Sequence, residues 1–429
     1  MGIDLSSVKP FEISSIRPPT ENYSLTFRLT RNCYWNRCGF CPAYKFASRF
    51  SKRGMDEVKE DISRAKLMDE LLYEQGISGT PTSYAGYSRI TELVHRIKTA
   101  QKETGHEVEG DRQEPPEDLH PDLVWFLSWF KDKPDLMDSL NHILTWRMAG
   151  GKTCFLGDAD SLIIKPEFMT EILDEIKDKF ISIQRFTVYG RTKTAARVRK
   201  VEELEAYRNA GLDRIHFGLE SGSDAVLKFM DKGVTKDEHV EAGIKTREAG
   251  LSCSVYAMPG LGGSRWSEAH AHETAEVLTK MTPDYVRLRT LQIFPQTPLD
   301  KARRNGGFVE ASEERVVKEI RIIVEETDTE TEILSDSASN LLSINGRLPE
   351  DRPAMLREID QYLALSDRDK LLFSAESRLR SFVGQYGGLS EDISGAISPY
   401  LRRERLDFSS ASDSEIEGII GLIRSKLMP

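Results

Sequence analysis

The sequence predicts an α/β fold: a partial (β/α)6 barrel of parallel strands, with a helical insertion and a small C-terminal helical domain. Three observations predict it. Apolar or alternating runs bounded by turn residues recur, each followed by a helix-like stretch, the rhythm that builds a parallel sheet covered by helices. More than a hundred residues separate the first run from the second, far beyond the ~2–6 residues that commonly join such elements. After Glu326 the rhythm stops.

An N-terminal segment, residues 1–22, precedes the barrel, which is expected over 23–325. Its six strands are read as Ser24–Thr30, Thr153–Asp158, Arg185–Tyr189, Arg214–Leu219, Ser252–Met258 and Asp284–Leu291. In the fourth, Ile215, Phe217 and Leu219 alternate with Arg214, His216, Gly218 and Glu220. Period two sends the apolar set to the covering helices and the polar set inward. The same alternation turns Arg28 of the first strand and Arg287 and Arg289 of the sixth inward. Helix ends are marked by Pro166, Gly211, Gly250 and the expected N-caps Ser267 and Ser312.

The insertion, about 55–150, opens with a helical pattern over Met55–Glu74. It continues through Lys102–His120, polar enough to read as a flexible loop, and returns to a helix at Leu123–Phe130. There Trp125 and Trp129, four apart, are expected in a core. Residues 326–429 read as a loop (SINGRLPEDRP) followed by helices, one opened by a capping box at Ser412 and Glu415.

Composition narrows the function. With 69 acidic against 59 basic residues, the protein as a whole is repelled by phosphate backbones and anionic membranes. That argues against nucleic acid, although a local basic groove is left open. The opening residues lack the pattern of a signal peptide, and no run of about 20 apolar residues occurs, so no membrane partner and a cytoplasmic protein are expected. Five cysteines, three of them crowded together, argue for metal binding in a reducing compartment over a disulfide framework.

Those three are Cys33, Cys38 and Cys41, in the spacing CxxxxCxxC directly after a strand-like run. Thiolates so placed can converge on one metal centre, and three ligands leave one coordination position open. A cubane iron-sulfur cluster fits this best. Zinc is the plainer alternative, but structural zinc takes four ligands, and Cys154 and Cys253 lie far along the chain inside predicted strands; no metal at all is the third reading.

The chain resembles the radical S-adenosylmethionine (radical SAM) enzymes over roughly residues 23–325. The resemblance is carried by LTFRLTR running into the three cysteines, with Phe40 before the last. GLESGSDAVLKFMDKG (Gly218 to Gly233), YAMPGLGG (Tyr256 to Gly263) and FPQTPL (Phe294 to Leu299) add to it. These segments look like strand ends of the subgroup containing the Elongator-type, methylthiotransferase and oxygen-independent coproporphyrinogen oxidase enzymes. The usual spacing is CxxxCxxC, so this chain has one extra residue in the first gap.

The resemblance implies a 4Fe-4S cluster on the three cysteines, whose fourth iron is chelated by S-adenosylmethionine. One electron, from a donor such as a flavodoxin or ferredoxin, then cleaves the sulfonium to a 5'-deoxyadenosyl radical that abstracts hydrogen from substrate. The protein's part is to hold the cofactors and exclude water and oxygen, hence anaerobic oxidoreductase chemistry. The family's Gly-Gly-Glu turn corresponds here to the segment from Phe155 to Ser161. Gly157 would let carbonyls approach the methionyl ammonium, and Asp158 or Asp160 would supply the carboxylate; alternatively, Asp160 caps the next helix. Glu220 corresponds to a glutamate near the cofactor's ribose, the plainer reading being a salt bridge to a lumen arginine.

Arg28, Arg191, Arg287 and Arg289 make the expected mouth basic. Arg289 is assigned to the methionyl carboxylate or to an anionic substrate group, because guanidinium matches carboxylate with parallel hydrogen bonds. Internal pairing with Glu220 and Asp158 is the alternative. His270 and His272, two apart on a helix, point different ways and are not read as metal ligands. Gly260–Gly263 lacks GxGxxG spacing and reads as a turn near the adenine. Lys45, Arg49, Lys52 and Arg53 read as a solvated helix face.

With no second cysteine cluster and no cobalamin signature, the leading expectation is a single-cluster radical SAM enzyme acting on an anionic small molecule. Modification of an RNA or protein target, and a non-catalytic iron-sulfur or zinc scaffold, are the alternatives.

Overall fold

The structure, a computed structural model, describes residues 2–14, 16–45, 49–77, 84–104, 118–129, 133–335, 337–402 and 405–427. In chain order the strands are β1 Leu25–Arg28, β2 Thr30–Arg31, β3 Ser51–Lys52, β4 Thr153–Gly157, β5 Arg185–Gly190 and β6 Leu212–Glu220. They continue as β7 Ser252–Ala257, β8 Tyr285–Leu288, β9 Thr331–Leu334, β10 Gly346–Leu348, β11 Leu401–Arg402 and β12 Arg405–Leu406. The main sheet has the order β1-β4-β5-β6-β7-β8-β9-β10. All its neighbours are parallel except β9 and β10.

The helices over this sheet are α1 Met55–Glu74, α2 Tyr84–Glu103, α3 Pro121–Ser128, α4 Leu136–Met148, α5 Pro166–Lys179, α6 Thr192–Arg197 and α7 Val201–Asn209. They are followed by α8 Asp224–Phe229, α9 Lys236–Glu248, α10 Gly263–Met281, α11 Pro298–Arg304, α12 Glu313–Glu326 and α13 Arg352–Leu363. The C-terminal helices are α14 Asp367–Tyr386, α15 Glu391–Ile397 and α16 Asp413–Lys426.

Alternation decides which side chains go where. Leu25, Phe27 and Leu29, Ile215, Phe217 and Leu219, and Val286 and Leu288 all enter one core beneath the helices. The opposite face fills the lumen. Tyr189 lies with its ring 5.1 Å from Phe155, 6.1 Å from His216 and 6.3 Å from Tyr256. The N-terminal end of the barrel is closed by buried Glu21, which accepts from Ser24 Oγ at 2.6 Å and Arg185 Nη2 at 2.9 Å. At the open edge, β1 would expose its N–H groups. The N–H of Thr26 is instead donated to His142 Nε2 on α4 at 2.9 Å.

The six expected strands are all present, but the sheet has eight. β9 continues it in parallel register with β8, and β10 turns back on β9. Ile333, Leu342, Ile344, Leu348, Met355 and Ile359 belong to the barrel core. A second core begins at Ala375 and includes Leu379, Phe382, Ile393, Phe408, Ile416 and Ile423. The break expected after residue 325 therefore falls before α14. Two strands of four and three residues give too short a period to stand out from a polar stretch.

The insertion also differs. Val58 and Ile62 of α1 and Leu140 and Ile143 of α4 lie in the barrel core, so these helices are part of its covering layer. Most of the expected polar loop, 105–117, lies outside the described residues. Trp125 and Trp129 are not core residues: their rings are 5.8 Å apart and meet Tyr386 of α14 at 5.6 and 5.4 Å, with Trp129 45% exposed. The four-residue spacing marked an aromatic seam between two elements, which period alone cannot tell from a core.

Two local expectations are corrected as well. Ser267 lies inside α10, where its hydroxyl donates to Glu319, whereas Ser312 does cap α12. Among the described residues the basic run forms no helix face: β3 pairs with β2 and Arg53 is buried against Asp61 at 2.8 Å.

Ile333→Ala should lower stability by about 2–5 kcal/mol, the cost of a buried aliphatic truncation, measured by urea unfolding. A change within about 0.5 kcal/mol, the surface norm, would show that β9 is not part of the cooperative core.

Candidate active site at the cysteine loop

The cysteines sit on the loop leaving β1 at the C-terminal end of the sheet, where parallel α/β folds place their sites. The loop is seated by backbone. Gly39 N donates to Met230 O at 2.8 Å and Leu299 N to Gly39 O at 3.0 Å, clamping it between the segment after α8 and the start of α11. Trp35 Nε1 donates to Asp231 O at 2.6 Å, and Arg37 pairs with Asp231 at 2.8 Å. Gly233, at φ +69°, lies under the Trp35 ring, which would stand 2.1 Å from a Cβ there. Phe40, Val226, Met230, Leu299 and Phe308 form an apolar wall against which Cys38 and Cys41 pack.

Cys33, Cys38 and Cys41 are half-buried free thiols. Burial pushes the Cys41 thiol up to about 12, and its neighbours Cys38 and Cys33 act in the same direction. Burial also raises Cys38, while the ammonium of Lys232 and the guanidinium of Arg191 pull it back. The thiols, Lys232, Arg191 and Glu220 therefore share one electrostatic neighbourhood. Among the described residues no group of three His, Cys, Asp or Glu already stands at metal-holding spacing; the loop gathers the thiols without closing them into a ligand set.

Two further observations bear on whether the donors suit an iron-sulfur cluster. The wall behind Cys38 and Cys41 is apolar. Buried Tyr44, within the electrostatic reach of Cys33 and Cys41, has a hydroxyl with no hydrogen-bond partner among the described residues. Burial, with Asp158 and the thiols, keeps its phenol well above its ordinary pKa. Three soft donors, a dry wall and a spare buried donor fit such a cluster. Cys154 and Cys253 are buried within β4 and β7.

The remaining expected residues divide. Asp158 is buried and accepts Arg28 Nη2 at 2.6 Å and Nε at 3.0 Å, Ser14 Oγ at 3.0 Å and Asn32 N at 3.0 Å. It joins β1, β4 and the root of the cysteine loop, so the pairing expected as the alternative is what the structure contains. Gly157 admits Ser14, whose Oγ would lie 2.0 Å from a Cβ; the close approach is by a side chain. Asp160 accepts Thr194 Oγ1 at 2.5 Å and Arg191 N at 3.0 Å and is pushed up to about 6 by burial. The N–H of Leu162, in the turn that follows, also pulls on its carboxylate.

Glu220, at φ +66° where the register with β7 shifts, pairs with Lys232 at 3.0 Å. Its partner is thus a lysine and not a lumen arginine. Arg289 is half-buried with its guanidinium 4.3 Å from the Tyr256 ring centroid. Arg191 donates to Lys232 O at 2.5 Å and lies over Tyr34 and Trp35. Lys232 and Tyr44 were missed in the sequence. A lysine before a glycine reads as an ordinary helix exit, and no local pattern marks it as buried.

Behind the mouth, Glu319 of α12 accepts Gly260 N at 2.6 Å, and His270 bonds Ser221 Oγ at 2.8 Å and Met258 O at 3.1 Å. The glycine turn after β7 is thereby fixed from outside. His272 pairs instead with Glu326 at 2.8 Å.

A parallel partial barrel with three soft donors and a buried cation at its mouth defines a cofactor-binding α/β protein. The family model of the Radical SAM superfamily matches residues 129–276, and the cofactors of that superfamily are a 4Fe-4S cluster and S-adenosylmethionine. The match begins in the insertion, beyond the cysteine loop.

No curated protein sequence matches the chain. Among solved structures it is similar to an N-terminally deleted Elp3 from Methanocaldococcus infernus, with 16% identity, 49% of this chain and 53% of that one covered, and a TM-score of 0.36. Methylornithine synthase (PylB) gives 15%, 42%, 48% and 0.31 for the same quantities. Coproporphyrinogen III oxidase (HemN) from Escherichia coli gives 13%, 64%, 77% and 0.31. The chain spans about half the length of the first two. Among the described residues no helix is long and apolar enough to cross a membrane.

Gly233→Ala should unseat Trp35 and lower iron and sulfide per chain after reconstitution, while circular dichroism stays that of the parent. Full cluster loading would refute the seating role. Glu319 gives a pH signature. Burial pushes its carboxyl up from 4.5 to about 7, against the pull of Ser267 and Gly260 N–H. The native state then binds the proton more tightly than the unfolded chain, so stability falls as pH rises from about 4.5 to 7. Glu319→Gln should remove about 2–3 kcal/mol of that fall, read from denaturant curves at both ends of the window.

Proposed function

We propose that the protein is a radical SAM enzyme that cleaves S-adenosylmethionine reductively and uses the resulting radical to take hydrogen from an anionic small molecule. The observation that carries this reading is the placing of Cys33, Cys38 and Cys41 at the sheet's C-terminal end, in the electrostatic field of Lys232, Arg191 and Glu220. Cys33, Cys38 and Cys41 would hold a 4Fe-4S cluster, which when bound would supply the electron for reductive cleavage of S-adenosylmethionine.

The chain's own residues then have distinct tasks. The three thiolates hold the metal. Lys232, a buried ammonium whose pKa is raised because Glu220 and Cys38 outweigh burial, is placed to receive the methionyl carboxylate. Glu220 accepts from the ribose hydroxyls. Asp158 positions the cysteine loop through Asn32 N and is not assigned to the ammonium; Gly157 and Asp160 likewise support the loop's surroundings. Arg289, at the mouth, faces the substrate's anionic group. The electron comes from a small redox partner such as a flavodoxin or ferredoxin.

Anaerobically reconstituted protein should form 5'-deoxyadenosine with dithionite and S-adenosylmethionine, and Cys38→Ala should form none. Four-ligand zinc in the purified protein, or a loaded cluster that leaves S-adenosylmethionine intact, would defeat the reading. Lys232→Gln should weaken S-adenosylmethionine binding about 10- to 100-fold, the worth of a charged hydrogen bond, with iron content unchanged. Arg289→Gln should impair substrate binding alone, measured once deuterium transfer into 5'-deoxyadenosine has identified the substrate.

A further inference from the structure

We propose that the Tyr44 hydroxyl is a hydrogen-bond donor held for a sulfur of the cluster, and that this bond makes the cluster easier to reduce. The inference rests on the radical SAM reading and concerns a residue to which that reading gives no role.

Tyr44 is 7% exposed, three residues beyond Cys41, and its hydroxyl has no partner among the described residues. A buried hydroxyl without a partner is costly, so such a group calls for an explanation. The charged and thiol groups around it are Asp158, Cys33, Arg28 and Cys41. Arg28 has no acceptor atom. Asp158 is already the acceptor for Arg28, Ser14 and Asn32 N. The sulfurs of Cys33 and Cys41, the latter already taking the Ala43 N–H, are the other acceptors in that field, and no hydrogen bond joins the hydroxyl to Asp158. Tyr44 itself is fixed, since its carbonyl accepts Asn36 Nδ2 at 2.8 Å across the same loop. The hydroxyl thus lies buried and unpaired in the electrostatic field of two of the three thiols and would gain a partner when sulfur with thiolate or sulfide character stands there.

Reduction adds negative charge that is shared onto the sulfurs. A donor to sulfur stabilises the reduced form more than the oxidised one and raises the potential. A purely packing role would move neither.

Tyr44→Phe removes one oxygen and keeps the ring. In the loaded enzyme iron and sulfide per chain should match the parent, while the midpoint potential, followed by EPR in a redox titration, should move to more negative values. The metal-free full chain of the same variant should melt at the same temperature or higher, because an unpaired hydroxyl has been removed. Site-specific 3-fluorotyrosine at position 44, a stronger donor of nearly the same shape, should move the potential the other way; it also serves should Tyr44→Phe load poorly.

A loaded cluster whose potential is unchanged in both variants overturns the proposal, as does a drop in S-adenosylmethionine affinity at constant potential, which would direct the hydroxyl at the cosubstrate. If the parent forms 5'-deoxyadenosine and the potentials do not move, the Tyr44 inference alone is lost. A parent that binds zinc or no cluster removes the radical reading as well.

Discussion

The structure depends on one buried carboxylate. Asp158 and Arg28 are 3% and 4% exposed, and four donors from three parts of the chain converge on that carboxylate. Two charges taken this far from water are stable only when nearly every lone pair and proton is engaged. That demand fixes geometry. The N-terminal segment enters through Ser14, β1 through Arg28, and the root of the cysteine loop through Asn32 N. Losing one member of such a pair leaves an uncompensated charge, a cost on the order of 3–5 kcal/mol. The loop therefore inherits its position from a network inside the barrel, and a thiol set has a rigid base without any metal to organise it.

A second pairing, of Glu220 with Lys232, sets the field at the mouth. Lys232 lowers the thiol of Cys38 against burial, and Arg191, stacked over Tyr34 and Trp35, adds to that pull while bonding the carbonyl of Lys232. A net-acidic protein thus concentrates positive charge where thiolates and carboxylates must sit. The arginines expected there share this work unevenly. Arg28 serves the carboxylate below the loop and Arg191 serves the loop itself, while the half-buried Arg289 lies over the Tyr256 ring. The division follows from depth, because a guanidinium inside a closed network stabilises the frame and one at the rim can meet a ligand.

Much of this was legible in the sequence. Strand faces followed from period two, since β-strand geometry leaves no freedom about which residues share a side, and Ile215, Phe217 and Leu219 went to the core as that rule demands. Three clustered cysteines named the donor set because few other needs bring thiols so close. Roles at the mouth were less legible. Asp158 looked like a ligand because it ends a strand at the right rim, but whether a carboxylate meets a ligand or Arg28 is decided by contacts with Ser14 and Asn32, which no local pattern records. Lys232 was invisible for the same reason. Strands as short as β9 and β10 carry few apolar positions, and β9 is placed by pairing with β8 far back along the chain and β10 by pairing with β9.

The insertion and the C-terminal helices, which the sequence treated as additions, meet beside the site. Through α3 they are joined to it: Phe126 lies 4.4 Å from Phe294, beyond β8, and Ala43 of the cysteine loop packs in the same small cluster. Gln296 accepts His120 N at 3.0 Å and donates to Asp118 O at 2.9 Å. On its far side α3 reaches the C-terminal helices, with Trp125 Nε1 donating to Lys426 O at 3.2 Å and both tryptophans against Tyr386. Aromatic pairs of this kind add about 0.5–1.5 kcal/mol each beyond the area they cover. That is enough to favour one placement of a helix of eight residues, which has little intrinsic stability of its own. α3 is thus held from both sides, by Tyr386 and Lys426 of the C-terminal helices and by Phe294 beyond β8.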